Sequence, residues 1–184
     1  IDKPVPAIVL VHGSGPSNMD EKVGKLTPFK DLAEGLASKG IAVIRYDKRT
    51  YAHKRQFINK PDMSVKEETI EDAILATELL RNDSRIDSDN IFIIGHSMGG
   101  MLAPRIDAEG GNYKGLILLA STPRKLEEII IDQTKDVLNS VNKLLQWIIK
   151  KQIKKLSSKF ENMYNLSDEE AKNKSFMPGM SLYY

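Results

Sequence analysis

Residues 90–100, NIFIIGHSMGG, constrain this chain more than any other stretch. A run of β-branched and aromatic residues passes without a linker into Gly95-His96-Ser97-Met98-Gly99 and then into helix-forming sequence. A continuous apolar run of this length reads as a strand buried on both faces, which places it in the middle of a sheet that helices cover on either side. Gly95 and Gly99 bracket a turn too sharp for Cβ atoms, and the turn lifts the Ser97 hydroxyl to its tip. A serine with no chemical duty in a tight strand-to-helix turn is the bland alternative. Against it stands the helix that opens near Met98, whose N-terminal dipole points at any negative charge developing beside that hydroxyl.

Three more apolar runs, 7–12 (AIVLVH), 41–46 (IAVIRY) and 115–120 (GLILLA), read as strands of the same kind. Helical stretches alternate with them. Thr27 and Pro28 supply an N-cap and first-turn proline for a helix over 29–38, which Gly40 ends in the left-handed conformation. Ser64 and Glu67 form a capping box ahead of a second helix whose Ile70, Ala73, Ile74, Thr77 and Leu80 share one apolar stripe. Strand–helix–strand alternation predicts an α/β fold: a predominantly parallel sheet with helices on both faces. Right-handed crossovers then bring the strand ends at His12, Tyr46, Gly95 and Ala120 to one edge, where chemistry should collect.

Beyond Pro123 the composition changes. Residues 126–164 are rich in Lys, Ile and Leu and hold no glycine, so they read as helical. Val137, Val141, Leu144, Leu145, Ile148, Leu156, Phe160 and Met163 recur at helical spacing beside Lys150, Lys151, Lys154, Lys155 and Lys159; a packed helix with a solvated lysine face is favoured over a membrane-surface one. The expected organisation is a core over 1–123 and a helical cap over 124–184, in which Trp147 and the aliphatic residues could roof a pocket.

The second motif follows the first clear strand: His12-Gly13-Ser14-Gly15-Pro16, a glycine-rich turn with backbone N–H groups available. The N–H of Met98 with that of Ser14 or Gly15 would make an oxyanion hole, and Gly13 and Gly15 would let substrate approach the backbone. A phosphate-cradling loop is the rival, but the lysine and spacing it needs are missing. With no cysteine among 184 residues, disulfides, thiolate metal sites and a cysteine nucleophile are excluded. A formal charge of +2 gives no reason to expect a nucleic-acid partner, and no apolar run approaches a membrane span. No cofactor or metal is implied. Composition fixes neither oligomeric state nor compartment: a cytoplasmic protein and one exported after losing a leader ahead of Ile1 are both compatible.

HGSGP after one strand, YDKR after the next and GHSMGG after the third resemble the α/β-hydrolase superfamily, particularly its bacterial serine esterases and dienelactone-hydrolase-like members. The resemblance covers most of residues 5–123. It implies that Ser97 is the nucleophile attacking an acyl carbon, that Met98 and Ser14 give the backbone oxyanion donors, and that Gly95, His96 and Gly99 shape the turn. It also implies a small acyl ester as substrate. Asp47 matches a family position that fixes local structure, and loop bracing is favoured over anion binding for Arg45, Lys48 and Arg49.

The family order is Ser, then Asp or Glu, then His, yet no histidine follows His96. His12 and His96 lie inside the motifs, and His53 sits in a basic loop. Asp132 and Asp136 belong to the insertion. The expectation is a chain truncated before acid and base, lacking on the order of 60 residues at about 30 per βαβ unit, and nearly inactive alone. Thioester, amide and acyl-transfer chemistry use the same machinery, and a non-catalytic binding module with an inherited turn is the alternative of a different class.

Overall fold

The computed structural model describes residues 3–57, 60, 62–163, 165–177 and 180–181. Four parallel strands, β1 (Val5–Val11), β2 (Ala42–Ile44), β3 (Ile86–His96) and β4 (Gly115–Leu119), form one sheet in the order β2-β1-β3-β4. β1 lies between the other two long-range partners, with Val9 opposite Ile44 on one side and Ile93 on the other. The helices are α1 (Pro28–Ala37), the short α2 (Arg49–Ala52) and α3 (Lys54–Phe57), α4 (Glu71–Arg81), α5 (Met98–Ile106), α6 (Leu126–Ser140), α7 (Lys143–Met163) and α8 (Asp168–Lys172).

Alternation along β1 divides the core in two. Ala7, Val9 and Val11 face Ile70, Ala73, Ala76 and Leu80 around α4 and Ala103 and Ile106 of α5, whereas Ile8 and Leu10 face Phe29, Leu32 and Leu36 of α1. Both faces of the central strands are thus dry, which is why their sequences run apolar rather than alternating. The predicted stripe holds: Ala73, Thr77 and Leu80 of α4 and Ile70 just before it are buried, and Ile74 packs partly buried against them. From β1 the chain first crosses to β2, then returns past β1 to β3 on its other side. The carboxyl ends of β1 and β3 therefore flank the point where the strand order reverses, the place where an open α/β sheet leaves a crevice.

Several local expectations are corrected. β4 is not buried on both faces: Leu116, Ile117 and Leu118 are exposed, because β4 is an edge strand of the described sheet. Thr27 stands at the N-cap of α1 but its side chain makes no capping bond. Gly40 does turn left-handed after α1 (φ 80°). Only half of the capping box forms: Glu67 accepts from the Ser64 N–H at 2.8 Å, whereas the Ser64 hydroxyl oxygen accepts from the Lys66 rather than the Glu67 N–H, and a π-helical turn over Lys66–Ile70 precedes α4.

In the helical segment after β4, a break at Val141 (φ −116°, ψ 160°) separates α6 from α7, which pack on each other. Val137, Leu145, Ile148 and Trp147 of these helices are exposed and Phe160 is buried, so the apolar stripe is only partly covered. The side chains of Leu144, Leu156 and Met163, and all of Tyr164, lie outside the described residues. A two-stranded antiparallel ribbon, β5 (Ser175–Met177) with β6 (Met180–Ser181), follows α8 and was not expected in an all-helical segment.

Candidate active site

Ser97 joins β3 to α5 with φ 52° and ψ −117°, a region that non-glycine residues avoid at a cost of about 1–3 kcal/mol. Its N–H donates to the Leu119 carbonyl at 2.9 Å and its carbonyl accepts from the Met101 N–H at 3.1 Å, so the strained residue is held from β4 and from the first helical turn. The strain sits on the serine itself; the glycines serve close approach. A Cβ on Gly95 would overlap the Gly99 carbonyl, and one on Gly99 would overlap the Val11 carbonyl and lie 2.5 Å from that of His12. Gly99 thereby lets the start of α5 press against the end of β1.

That contact brings the second motif to the first. A Cβ on Gly13 would stand 3.3 Å from the Ser97 Cβ, so the loop after β1 touches the serine directly. Gly15 turns with φ 81°. Glu21, buried and itself at φ 50°, accepts the Gly13 N–H at 2.8 Å and the His96 Nδ1–H at 2.9 Å on the same oxygen, Oε1. Lys48 Nζ donates to the Gly13 carbonyl at 3.0 Å and pairs with Glu68 Oε2 at 3.1 Å, with side-chain exposures of 1% and 2%. Burial pushes the Lys48 ammonium below its ordinary range, and Glu68 facing it opposes that.

His12 is buried between Phe29 and Tyr46, with Nε2–H donating to the Asn18 carbonyl at 2.9 Å and Nδ1 without a hydrogen-bond partner among the described residues. Burial, reinforced by the Lys48 charge, lowers its pKa from 6.5 to about 4. The unfolded chain then binds a proton below pH 6.5 that the folded chain refuses, so this contribution to stability is complete above pH 6.5 and is lost as pH falls towards 4. Between pH 7 and 4.5 the wild type should lose about 2 kcal/mol more unfolding free energy than His12→Gln, read from urea midpoints. Equal losses in the two proteins would show that His12 protonates freely in the fold.

A strained serine after β3 thus meets a glycine loop after β1 at the sheet's reversal point. The family model described as serine aminopeptidase, S33, matches residues 2–177. The chain belongs to the S33 family of α/β-hydrolases. Esterase EstD of Thermotoga maritima is 46% identical over 132 residues, which are 72% of this chain and 31% of EstD, so the chain spans about a third of the length of that curated relative. Among solved structures, the Pyrococcus furiosus esterase PF2001 superposes with a TM-score of 0.54 at 17% identity, over 84% of this chain and 53% of that one. DcsB, solved with a substrate analogue, gives 0.50 at 18% identity over 77% and 48%. At such identities the two structures show the shared fold alone.

The residues expected at the site lie together in this S33 family member: Gly95, His96, Ser97, Met98 and Gly99 form the turn, and Gly13 meets it, with Ser14 and Gly15 continuing the same loop. The loop-bracing roles are observed as well. Asp47 accepts the Met19 N–H at 2.6 Å, Arg45 pairs with Asp20, and Arg49 pairs with Glu71 at 3.1 Å and Asp72 at 2.6 Å. Of the three histidines, His12 is buried, His53 is exposed at the end of α2, and the His96 ring is turned to Glu21; among the described residues none hydrogen-bonds the Ser97 hydroxyl. Asp132 is engaged by Arg124 at 2.6 Å and Lys135 at 3.1 Å in the segment after β4. Sequence reasoning missed Glu21 and Glu68. The one local hint was an acidic pair, Asp20-Glu21, closing the loop that HGSGP opens.

Proposed function

We propose that this protein hydrolyses carboxylic esters through an acyl-Ser97 intermediate, with the Met98 and Ser14 N–H groups stabilising the oxyanion. The observation that carries the reading is the strained Ser97 at the head of α5, in contact with the Gly13 loop at the reversal point of the sheet. In the reaction the hydroxyl oxygen bonds to the acyl carbon while its proton passes to a base; the alcohol leaves with a proton, and water then releases the acid. Among the described residues, none of the three histidines hydrogen-bonds the Ser97 hydroxyl, so the 184-residue chain assayed by itself should show almost no turnover. The proposed organisation is a hydrolase core over 1–123 that supplies the serine and the donors, with 124–184 capping it.

The name of the relative EstD favours an ester, and the S33 family description an amide. The complete gene product, assayed on p-nitrophenyl acetate and butyrate and on aminoacyl p-nitroanilides, separates them. We expect ester turnover at least about 100-fold faster in kcat/KM than amide turnover. The reverse order would make the protein a peptidase with the same serine, and turnover on neither would leave a binding module.

A further inference from the structure

Gly13 is gripped by buried charges on both of its main-chain polar groups, the N–H of the peptide before it and the carbonyl of the peptide it shares with Ser14. Glu21 Oε1 accepts its N–H at 2.8 Å, and Lys48 Nζ donates to its carbonyl at 3.0 Å. Lys48 is anchored in turn by Glu68 at 3.1 Å, whose other oxygen accepts the Thr50 hydroxyl at 2.8 Å. The oxygen of Glu21 that holds Gly13 also holds His96 Nδ1 at 2.9 Å, on the residue immediately before Ser97. Around the point where a Gly13 Cβ would lie, Ser97 Cβ stands at 3.3 Å, Glu21 Oε1 at 3.5 Å and His96 Nδ1 at 3.6 Å.

Packing alone does not account for this cluster. Glu21 is buried at φ 50°, and its Oε2 has no hydrogen-bond partner among the described residues. Apolar residues would fill the same volume without leaving a carboxylate oxygen unsatisfied. What the charges supply is a fixed distance: one carboxylate oxygen ties the loop after β1 to the turn after β3, and the ammonium stops the loop peptide from rotating.

We propose that Glu21 and Lys48 are positioning residues that clamp the main chain at Gly13, on either side of its Cα, and thereby hold the Ser14 N–H ready at the place where the oxyanion forms beside Ser97. The clamp rests on the acyl-Ser97 reading above. A donor contributes about 10²–10³ in kcat when it is well placed, and a displacement of about 1 Å can forfeit 10². The loss falls on kcat because the donor meets its charge only in the transition state.

The test measures kcat, KM and melting midpoint of the complete gene product on p-nitrophenyl acetate for wild type, Glu21→Gln, Glu21→Asp, Glu21→Leu and Lys48→Met. Glu21→Gln keeps an oxygen at the same reach and should stay within about threefold of wild-type kcat. Glu21→Asp keeps the charge but draws it back by one methylene, and should lose about tenfold; Glu21→Leu and Lys48→Met should lose about 10–100-fold, with KM within about threefold throughout. A brace that acts only through charge would give the opposite order, Asp above Gln, and that order overturns the clamp. If Leu and Met variants do not fold, the Gln and Asp pair decides. Wild-type kcat in folded Glu21→Leu and Lys48→Met also overturns it, while Ser97-dependent hydrolysis would still stand. Absence of Ser97-dependent turnover in the wild type would instead remove the acyl-Ser97 reading and the clamp with it.

Discussion

Ser97→Ala in the complete gene product should lower kcat for p-nitrophenyl esters by about 10⁴–10⁶-fold, with the melting midpoint unchanged or raised. The size follows from the role: without the hydroxyl no acyl-enzyme forms, and the remaining oxyanion donors act only on direct attack by water. The direction of the stability change follows from the backbone. Ser97 holds φ 52° for a geometric purpose, and alanine in its place keeps the strain but frees the protein of a hydroxyl that no described residue hydrogen-bonds. Progress curves with an active-site titrant measure the first quantity, and differential scanning calorimetry the second. A variant retaining more than a few per cent of wild-type kcat would remove Ser97 from the chemistry.

Gly99→Ala is expected to destabilise the molecule by about 3 kcal/mol or more. The added Cβ would overlap the Val11 carbonyl and come within 2.5 Å of that of His12, both main-chain atoms in or beside a central strand, so no side chain can move aside to make room. Relief requires α5 to lift away from β1, which parts Ser97 from the Gly13 loop. Activity should therefore fall further than stability alone predicts, even where the variant is fully folded at the assay temperature. Urea denaturation gives the stability change; a loss below about 1 kcal/mol would mean that the packing of α5 on β1 at Gly99 is looser than its geometry shows.

The parts of this structure that were legible in the sequence are those with a local physical cause. A strand buried on both faces must be apolar throughout, so β1 and β3 stood out, and their ends carried HGSGP and GHSMGG. Because right-handed crossovers fix strand direction, the sequence alone places both motifs at one sheet edge. The exposure of β4 was not legible, since Leu116, Ile117 and Leu118 have the composition of a buried strand and only the neighbours of the strand decide its burial. The half-formed capping box after Ser64 failed for a similar reason: the π turn shifts the first helical N–H groups, and the spacing motif assumes an α-helical start.

Glu21 marks the limit most sharply. It meets His96 across 75 positions of sequence and Gly13 across 8, and no local period or motif encodes a bond of that kind. The loop-bracing cations were easier, because Arg45, Lys48 and Arg49 crowd a single loop after β2 and charges at a strand end need partners. Their partners Asp20, Glu68, Glu71 and Asp72 appear only once the fold closes.

The most direct test of the central claim is the site of covalent modification. The complete gene product is treated with a fluorophosphonate, digested, and its peptides mapped by mass spectrometry, with Ser97→Ala treated in parallel. A single adduct on Ser97 that is absent from the variant is the predicted result. An adduct confined to another serine, or no adduct at all on an intact folded protein, would contradict the assignment of Ser97 as the nucleophile.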